Sequence, residues 1–476
     1  MRPTVPAKYL LPFLFVTLFT IQLGLSMSDL PSLKLMQDIV CKRYRGSYTD
    51  ELLPEEECRD SDVQRTLNRI NVGLSVSVTI GSALVAFPLG VLADRIGRVP
   101  ILAASLFSIF IAQGFGMLVC WRWKAMPLEA IWALGGFLLL GGGQRMAEAM
   151  VFTMVADVAS KSQRAWWFQW VVGAVLAGEL AGPFASSRLI ASDIWLPLYT
   201  SLVLIFVGGV ILAAFSPETL TRKLDSAEAE DGCHAPLSTK DTIISIFSRP
   251  AIFFVPGAVL ALPLATTQSN ILFRFMPIQF QWQLSKSALL VSLRSAMTLI
   301  TLLILLPGAV FLCSKRTNWS HQRRDGIFMR TSALCFFIGS VFLTLVKYEG
   351  VIIAGVVVSA LGSGLTTLCR SMLVSALHEK NSGLLFGILA IGETTSLLCC
   401  AIAMGALFDV ALVSWIGYPF LLGAILAIGI FAASVMPDIS STDSSSSSEQ
   451  PTAVLAVLEL VEKADGSKSE SQKPKE

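Results

Sequence analysis

About twelve apolar runs, most of them near 20 residues long, constrain this chain more than any other feature. A helix needs roughly 20 apolar residues to cross a hydrocarbon core of about 30 Å. The runs are 9–28, 73–93, 99–120, 131–155, 166–185 and 195–215, then 251–273, 288–312, 331–346, 351–376, 384–408 and 415–436. In lipid only helices and closed barrels satisfy every backbone polar group, and these runs are too long and too little alternating for barrel strands. They predict an all-α membrane protein with twelve transmembrane helices. Charge agrees: 15% of the residues are charged, against about 25% in soluble domains, too few to cover a water-facing surface. The ninth run is short and is expected to recruit residues 327–329, with Arg330 snorkelling. The first run has the length of a span, and no small-x-small cleavage pattern leads from it into a soluble domain, so it reads as the first span and not as a signal peptide.

An even number of spans puts both termini on one side. With that side cytoplasmic, the inner segments hold most of the basic residues of the short loops, among them Arg2, Lys8, Arg95, Arg98, Lys161, Arg164, Arg222, Lys223, Lys315 and Arg316. The short outer loops hold few, and the bias predicts cytoplasmic termini. Residues 1–8 form the N-terminal segment, 9–216 a first six-helix bundle and 250–436 a second. Residues 29–72 read as the first extracellular loop and 217–249 as a central cytoplasmic loop. Residues 437–476 form a disordered Ser-rich cytoplasmic tail. The halves echo one another. LGGG (140–143) in the fourth span matches LGSG (361–364) in the tenth, and Pro88-x-Gly90 matches Pro307-Gly308, as parallel six-helix repeats would. Cys41 and Cys58 share the first outer loop and form either a disulfide or two free thiols. Asn318-Trp319-Ser320 is a glycosylation sequon placed in a cytoplasmic loop, so it is expected to stay unmodified.

The stretch GVLADRIGRVP (90–100) sets Asp94, Arg95 and Arg98 between the second and third spans. Gly90 would let two helices approach, Gly97 would permit the turn, and the arginines would hold the loop on the cytoplasmic side. A carboxylate at the membrane edge needs a partner. For Asp94 a helix N-terminus or a neighbouring Arg would serve, and a contact that forms in one arrangement and breaks in another is a gate; the plain alternative is a tight turn with a solvated acid. The pattern Gly90-x-Leu92-Ala93-Asp94-Arg95-x-Gly97-Arg98 resembles the loop motif between the second and third helices of the major facilitator superfamily. That resemblance implies two six-helix bundles in the major facilitator fold, with Asp94 latching the cytoplasmic side in the outward-facing state. The fifth span carries Gly178-Glu179-Leu180-Ala181-Gly182-Pro183, which looks like the antiporter motif of drug-exporting members; Ser186-Ser187 stand where the pattern usually has glycines. A generic small-residue packing face is the structural alternative. The overall pattern is similar to fungal members, through IVCKRY (39–44), GGGQRMAEAM (141–150), Trp282 and Arg370-Ser371, and those members often export small organic metabolites.

Six ionisable residues fall inside the expected spans: Arg145, Glu148, Glu179, Arg294, Arg370 and Glu393. Each costs about 2.5 kcal/mol or more on insertion scales, so each should face a cavity or a partner. Arg145 and Glu148 are three apart on one helix face and are expected to neutralise each other. Arg145 also resembles the Arg of the family's fourth-helix motif, which implies a part in proton transfer. Glu179 and Glu393 have no partner close in sequence. A lone carboxylate in oil favours its neutral form, and its proton affinity changes when a cavity opens to water. The three carboxylates and Arg145 are the proton-coupling candidates, with cross-helix hydrogen bonding as the structural alternative. The seventh span carries Thr266, Thr267, Gln268 and Asn270 between Pro256 and Pro263, and a broken polar span points to a binding site. Gln22, Gln144, Gln268, Asn270, Arg294 and Arg370 are the substrate-binding candidates.

No GxxxxGK[ST] loop, HExxH pair or metal-ligand cluster occurs, so no ATP-hydrolysing module, metal or cofactor is expected. The net charge of +2 comes from scattered residues and suggests no nucleic-acid partner. The residues point to a secondary active transporter of a small organic molecule, working by alternating access as a proton-coupled exporter and a monomer. They do not suggest an enzyme. An importer of a nutrient is the alternative and a non-transporting receptor the third reading. The plasma membrane is the expected site, with a vacuolar or vesicle membrane the alternative.

Overall fold

A computed structural model describes residues 9–158, 164–218, 251–316, 321–376 and 382–436. The expected N-terminal segment, the central loop beyond Glu218, the sequon, the Ser-rich tail and the side chain of Asp94 lie outside what it describes.

The N-terminal half comprises α1 (Leu10–Arg45), α2 (Ser61–Ile96), α3 (Arg98–Trp121), α4 (Leu134–Leu138), α5 (Gly143–Val158), α6 (Arg164–Ile190) and α7 (Trp195–Phe215). The C-terminal half comprises α8 (Val255–Phe280), α9 (Leu284–Ile300), α10 (Leu306–Arg316), α11 (His321–Thr344), α12 (Glu349–Leu361), α13 (Leu365–Ala376), α14 (Ser382–Ala411) and α15 (Tyr418–Val435). Among the described residues, eleven helical stretches are long and apolar enough to cross a membrane. The twelfth crossing, the expected fourth span, is broken. A 3₁₀ turn (Leu128–Ala133) leads into α4, and α5 starts afresh at Gly143. The cause is local: Gly142 and Gly143 take φ of +77° and +64°, which side chains resist. The tenth span is interrupted at the equivalent place, where α12 ends at Leu361 and α13 begins at Leu365. The LGGG and LGSG echo is thus a pair of matched helix breaks. The seventh span, expected to be broken, is instead the continuous α8, with Pro263 and Pro277 inside it. In the eighth, a π-turn (Thr301–Leu305) joins α9 to α10 just before Pro307, the residue whose missing N–H disturbs the helical ladder there.

Helices α1 and α2 each run for 36 residues. The stretch 29–72, expected as a loop, is therefore mostly helix, and the connection shrinks to residues 46–60 with a 3₁₀ turn at Glu55–Cys58. The extension of α1 persists because Leu30, Leu33, Met36, Ile39 and Val40 keep a helical period and are buried. The polar residues between them are satisfied. Lys42 pairs with Asp38 at 2.7 Å, and Lys34 pairs with Glu55 at 2.8 Å. A disulfide joins Cys41 to Cys58 across a Cα separation of 5.4 Å and ties the 46–60 connection to α1. The end of the molecule bearing this bond is termed the disulfide end; the opposite end, where α1 begins and α15 finishes, is the terminal end. There Arg330 does more than snorkel. Its guanidinium donates to the carbonyls of Ser434 and Val435 at 3.2 and 3.3 Å, capping the last helix.

Three apolar cores hold the bundles. One fills the C-terminal half, one the terminal end of the N-terminal half. The third, at the disulfide end, gathers α1, α2, α3 and α7 but also takes in Leu284 and Ala288 of α9, so apolar packing crosses between the halves there.

Candidate functional site

The halves are sealed at the disulfide end by polar contacts as well. The Asn68 amide of α2 donates to the Gly405 carbonyl at 2.9 Å and to Asp409 Oδ1 at 2.7 Å, both on α14. Its oxygen accepts from Arg274 Nη1 of α8 at 2.8 Å, and the Arg274 guanidinium lies 5.5 Å from the centre of the Phe408 ring. The disulfide-tethered connection adds a clasp. Arg59 Nη2 donates to the carbonyls of Gln281 and Trp282 at 3.1 and 3.2 Å, and the Leu284 N–H donates to Glu55 Oε2 at 3.1 Å. Arg274 and Asp409 lie one residue past the apolar runs 251–273 and 384–408 and Asn68 within the expected loop 29–72, so none of the three was a candidate; all lie on helices that run on beyond the apolar stretches.

Below this seal lies a cavity of about 340 Å³. Asp29, Asn71, Gln113, Asn270 and Arg274 line it, with Met36, Met117 and Phe273 among its apolar walls. Asp29 was not a candidate, since the first span was expected to end at Ser28. Helix α1 continues past that point and carries the carboxylate into the cavity wall. Glu179 lies within electrostatic range of Asp29 on one side and of Arg294 on the other. Arg294 Nη1 donates to Ser269 Oγ at 2.5 Å.

Toward the terminal end the two sides of the interface differ: α6 stays joined to the turn after α9, Gln169 Nε2 donating to the Leu302 carbonyl at 2.7 Å, and the cleft is confined to the side of α2 and α14. Where these helices touch, Gly405 faces Val72. In their other halves Phe87 is 81% and Ile391 70% exposed. The second group of polar residues faces this cleft. Gln144 Nε2 donates to Gln22 Oε1 at 3.4 Å and to Glu148 Oε1 at 3.0 Å. In the other half Arg370 forms an ion pair with Glu393, and Glu393 lies within electrostatic range of Glu148. Glu393, without a partner nearby in sequence, finds one on α13. Arg145 acts on Glu148 through its charge, as their spacing suggests, without a direct hydrogen bond between them among the described residues. The break at Gly143 puts Gln144 and Arg145 in the first turn of α5, where Gln144 takes the i,i+4 position to Glu148 and Arg145 stays exposed.

The remaining candidates divide between packing and the pathway. Gln268 is 2% exposed. It points away from the cavity, donating to Ser340 Oγ at 3.4 Å and packing on Gly423, so it serves the C-terminal core. Asn270, two residues on, lines the cavity. Gly178 and Gly182 are the contact face of α6 on α1. A Cβ on Gly182 would sit 2.5 Å from Ser26 Cβ, and one on Gly178 2.8 Å from Gln22 Cβ. Pro183 has no N–H to give the Glu179 carbonyl. Ser26 Oγ donates to that carbonyl at 3.3 Å, and α6 stays continuous. In the loop motif, Gly97 turns the chain at φ +110° and Arg98 Nη1 donates to the Thr153 carbonyl at 2.8 Å. Glu218 completes the turn, accepting from the Arg98 and Val99 N–H groups at 2.9 and 3.2 Å and so capping α3. Its signal was a lone acid straight after the sixth span. A Cβ on Gly90 would meet nothing within 4 Å, so close helix approach is not the reason for that glycine. Arg95 is exposed.

Comparison with known proteins places this architecture. The chain is 25% identical over 440 residues to the MFS efflux pump atnC of Emericella nidulans, covering 86% of this chain and 84% of the relative. It is 27% identical over 440 residues to the MFS-type transporter aprT of Aspergillus flavus, covering 87% and 85%. Among solved structures, the human organic anion transporter MFSD10 (TETRAN) has the same fold at a TM-score of 0.53 and 16% identity, over 90% of this chain and all of that one. The family model for the Major Facilitator Superfamily matches residues 61–348. Two six-crossing halves, matched breaks in crossings four and ten, and polar groups gathered between the halves have their explanation in that match: the chain belongs to the Major Facilitator Superfamily.

Proposed function

We propose that the protein is a proton-coupled exporter of a small organic molecule, working by alternating access as a monomer with both termini in the cytoplasm. The observation that carries this reading is the distribution of charge across the interface of the halves. Glu148, with Arg145 close by on its own helix, lies within electrostatic range of Glu393, which is ion-paired to Arg370 in the opposite bundle, while the disulfide end is held shut by Asn68, Arg274 and Asp409. With the termini inside, we read this as a form turned toward the cytoplasm on the side of α2 and α14, with the Gln169–Leu302 contact still joining the halves on the side of α6. A carboxylate in such a cleft exchanges protons with one compartment at a time, because rocking of the halves changes which aqueous side reaches it. Closing the cleft withdraws Glu148 and Glu393 from water, and loss of water favours uptake of a proton by a carboxylate against the pull of its neighbouring arginine. That links the proton to the conformational step.

The energy suffices. One charge moving through 100 mV supplies about 2.3 kcal/mol, and one pH unit about 1.4 kcal/mol. Together these sustain a substrate gradient of several hundredfold. Export is favoured by the relatives, among them an efflux pump in Emericella nidulans and another in Aspergillus flavus. A role in transport and not in catalysis, in the plasma membrane, completes the proposal. Untargeted metabolite profiling of cells and medium, with and without the gene, identifies the solute. Flux in proteoliposomes under an imposed pH gradient then tests the coupling. Flux that ignores the pH gradient, or solute that accumulates in the medium of deletion cells, sinks the reading.

A further inference from the structure

The cavity under the disulfide-end seal has an unbalanced charge. Of the charged residues discussed, Asp29 and Arg274 line it, while Glu179 lies within electrostatic range of Asp29 and Arg294, and Asp409 within range of Arg274. Arg294 is within range of Glu179, and Arg274 is held by Asn68, near Asp409 and over Phe408. Asp29 is the acid left over. Among the described residues it accepts no hydrogen bond and forms no ion pair, and it lines the cavity. Gln113 and Asn270 present their side-chain amides to the same space with no partner for either among the described residues, and Asn71, whose nitrogen is engaged with the Leu67 carbonyl, keeps its oxygen for a donor. Asp29 is exposed and lines the cavity, so its oxygens are open to a ligand there, and a cation is the ligand that its charge and the surrounding amides attract.

We propose that this cavity is the substrate seat and that it selects an organic cation: a protonated amine against Asp29, hydrogen-bonded to the nearby amides, on an apolar body lodged among Met36, Met117 and Phe273. This deepens the exporter reading and rests on it for the word substrate; binding of the amine itself does not depend on transport. Arg274 does not recruit an anion here, because its guanidinium is already committed to the seal.

The test uses the purified full-length protein and three probes of one shape and different charge: tryptamine, indole-3-propionamide and indole-3-propionic acid. Thermal stability is measured against probe concentration. Tryptamine is expected to stabilise the wild type with an affinity at least about tenfold above either other probe. Asp29→Asn is expected to remove that preference, and Asp29→Glu, which keeps the charge, to retain the order of the three. No stabilisation by millimolar tryptamine, equal binding of the acid or the amide, or an undiminished preference in Asp29→Asn overturns the proposal. Should Asp29→Asn fail to yield folded protein, the wild-type ranking and Asp29→Glu decide. Amine binding without pH-driven flux would leave the seat standing and overturn the exporter reading. Flux confined to acidic solutes would do the reverse.

Discussion

Glu393 and Arg370 hold each other's charge from α14 and α13 at side-chain exposures of 15% and 29%. Replacing Glu393 by Gln leaves a guanidinium unpaired in the cleft. Breaking a fully buried pair costs about 3 kcal/mol or more, and this half-open one should cost less. The expected outcome is a modest fall in thermal stability with pH-driven flux abolished; flux at wild-type levels would remove Glu393 from the coupling. Glu218 is a second residue with a separable effect. Its carboxylate caps α3 at the Gly97 turn, so Glu218→Ala should lower stability by about 1 kcal/mol. Glu218→Gln, which still offers one acceptor oxygen, should recover part of it in the same denaturation assay. At this scale the sequence was a partial guide. Charges inside the apolar runs were visible because each is costly there, and several of them act on one another across helices, Glu179 on Arg294 and Glu393 on Arg370. Their partners were not visible. Glu393 meets Arg370 from another helix, and Glu148, near Arg145 on its own helix, accepts its hydrogen bond from Gln144.

Helices α1 and α6 pack on each other along Gly178 and Gly182, with Ser26 closing the backbone gap that Pro183 opens. Gly182→Val would drive its side chain into Ser26, and the expected result is loss of monodisperse protein on size-exclusion chromatography. Ser26→Ala orphans the Glu179 carbonyl and should cost about 1–3 kcal/mol, read as a lower melting temperature with the fold retained. The Cys41–Cys58 bond holds the segment whose Glu55 and Arg59 grip the C-terminal half. Replacing both Cys41 and Cys58 by Ser should therefore weaken the clasp, and a cysteine placed at Ser75 in the cavity wall should label faster with a membrane-impermeant maleimide added on the disulfide side. Unchanged labelling would confine the bond to local stability. The spans themselves were legible, since hydrocarbon thickness fixes how long an apolar run must be. Their ends were not. Residues 30–40 look like a loop because Lys34, Gln37 and Asp38 interrupt them, yet they remain helical, their polar groups paired and their apolar face buried.

Across the whole molecule, one amide links three helices of the seal: Asn68 joins α2 to α8 and α14. Asp409→Asn removes the charge facing Arg274 and should shift the population toward the form open at the disulfide end. The same Ser75→Cys reporter should then label several-fold faster from that side, a change of about 1 kcal/mol between the two states. A labelling rate equal to the parent's would place the seal elsewhere. The sequence alone determined that this is a helical membrane protein of two echoed halves, because backbone hydrogen bonding in oil leaves few alternatives and a length rule can be read from one dimension. It also placed matched glycine motifs at what prove to be matched breaks. Only the tertiary structure decided which half-buried charges are neighbours, that Asp29 belongs to a cavity and not to a loop, and which end is shut. Those are facts of approach between helices far apart in the chain. Coulomb energy and hydrogen bonding depend on distances of a few ångströms, which no spacing along the sequence records.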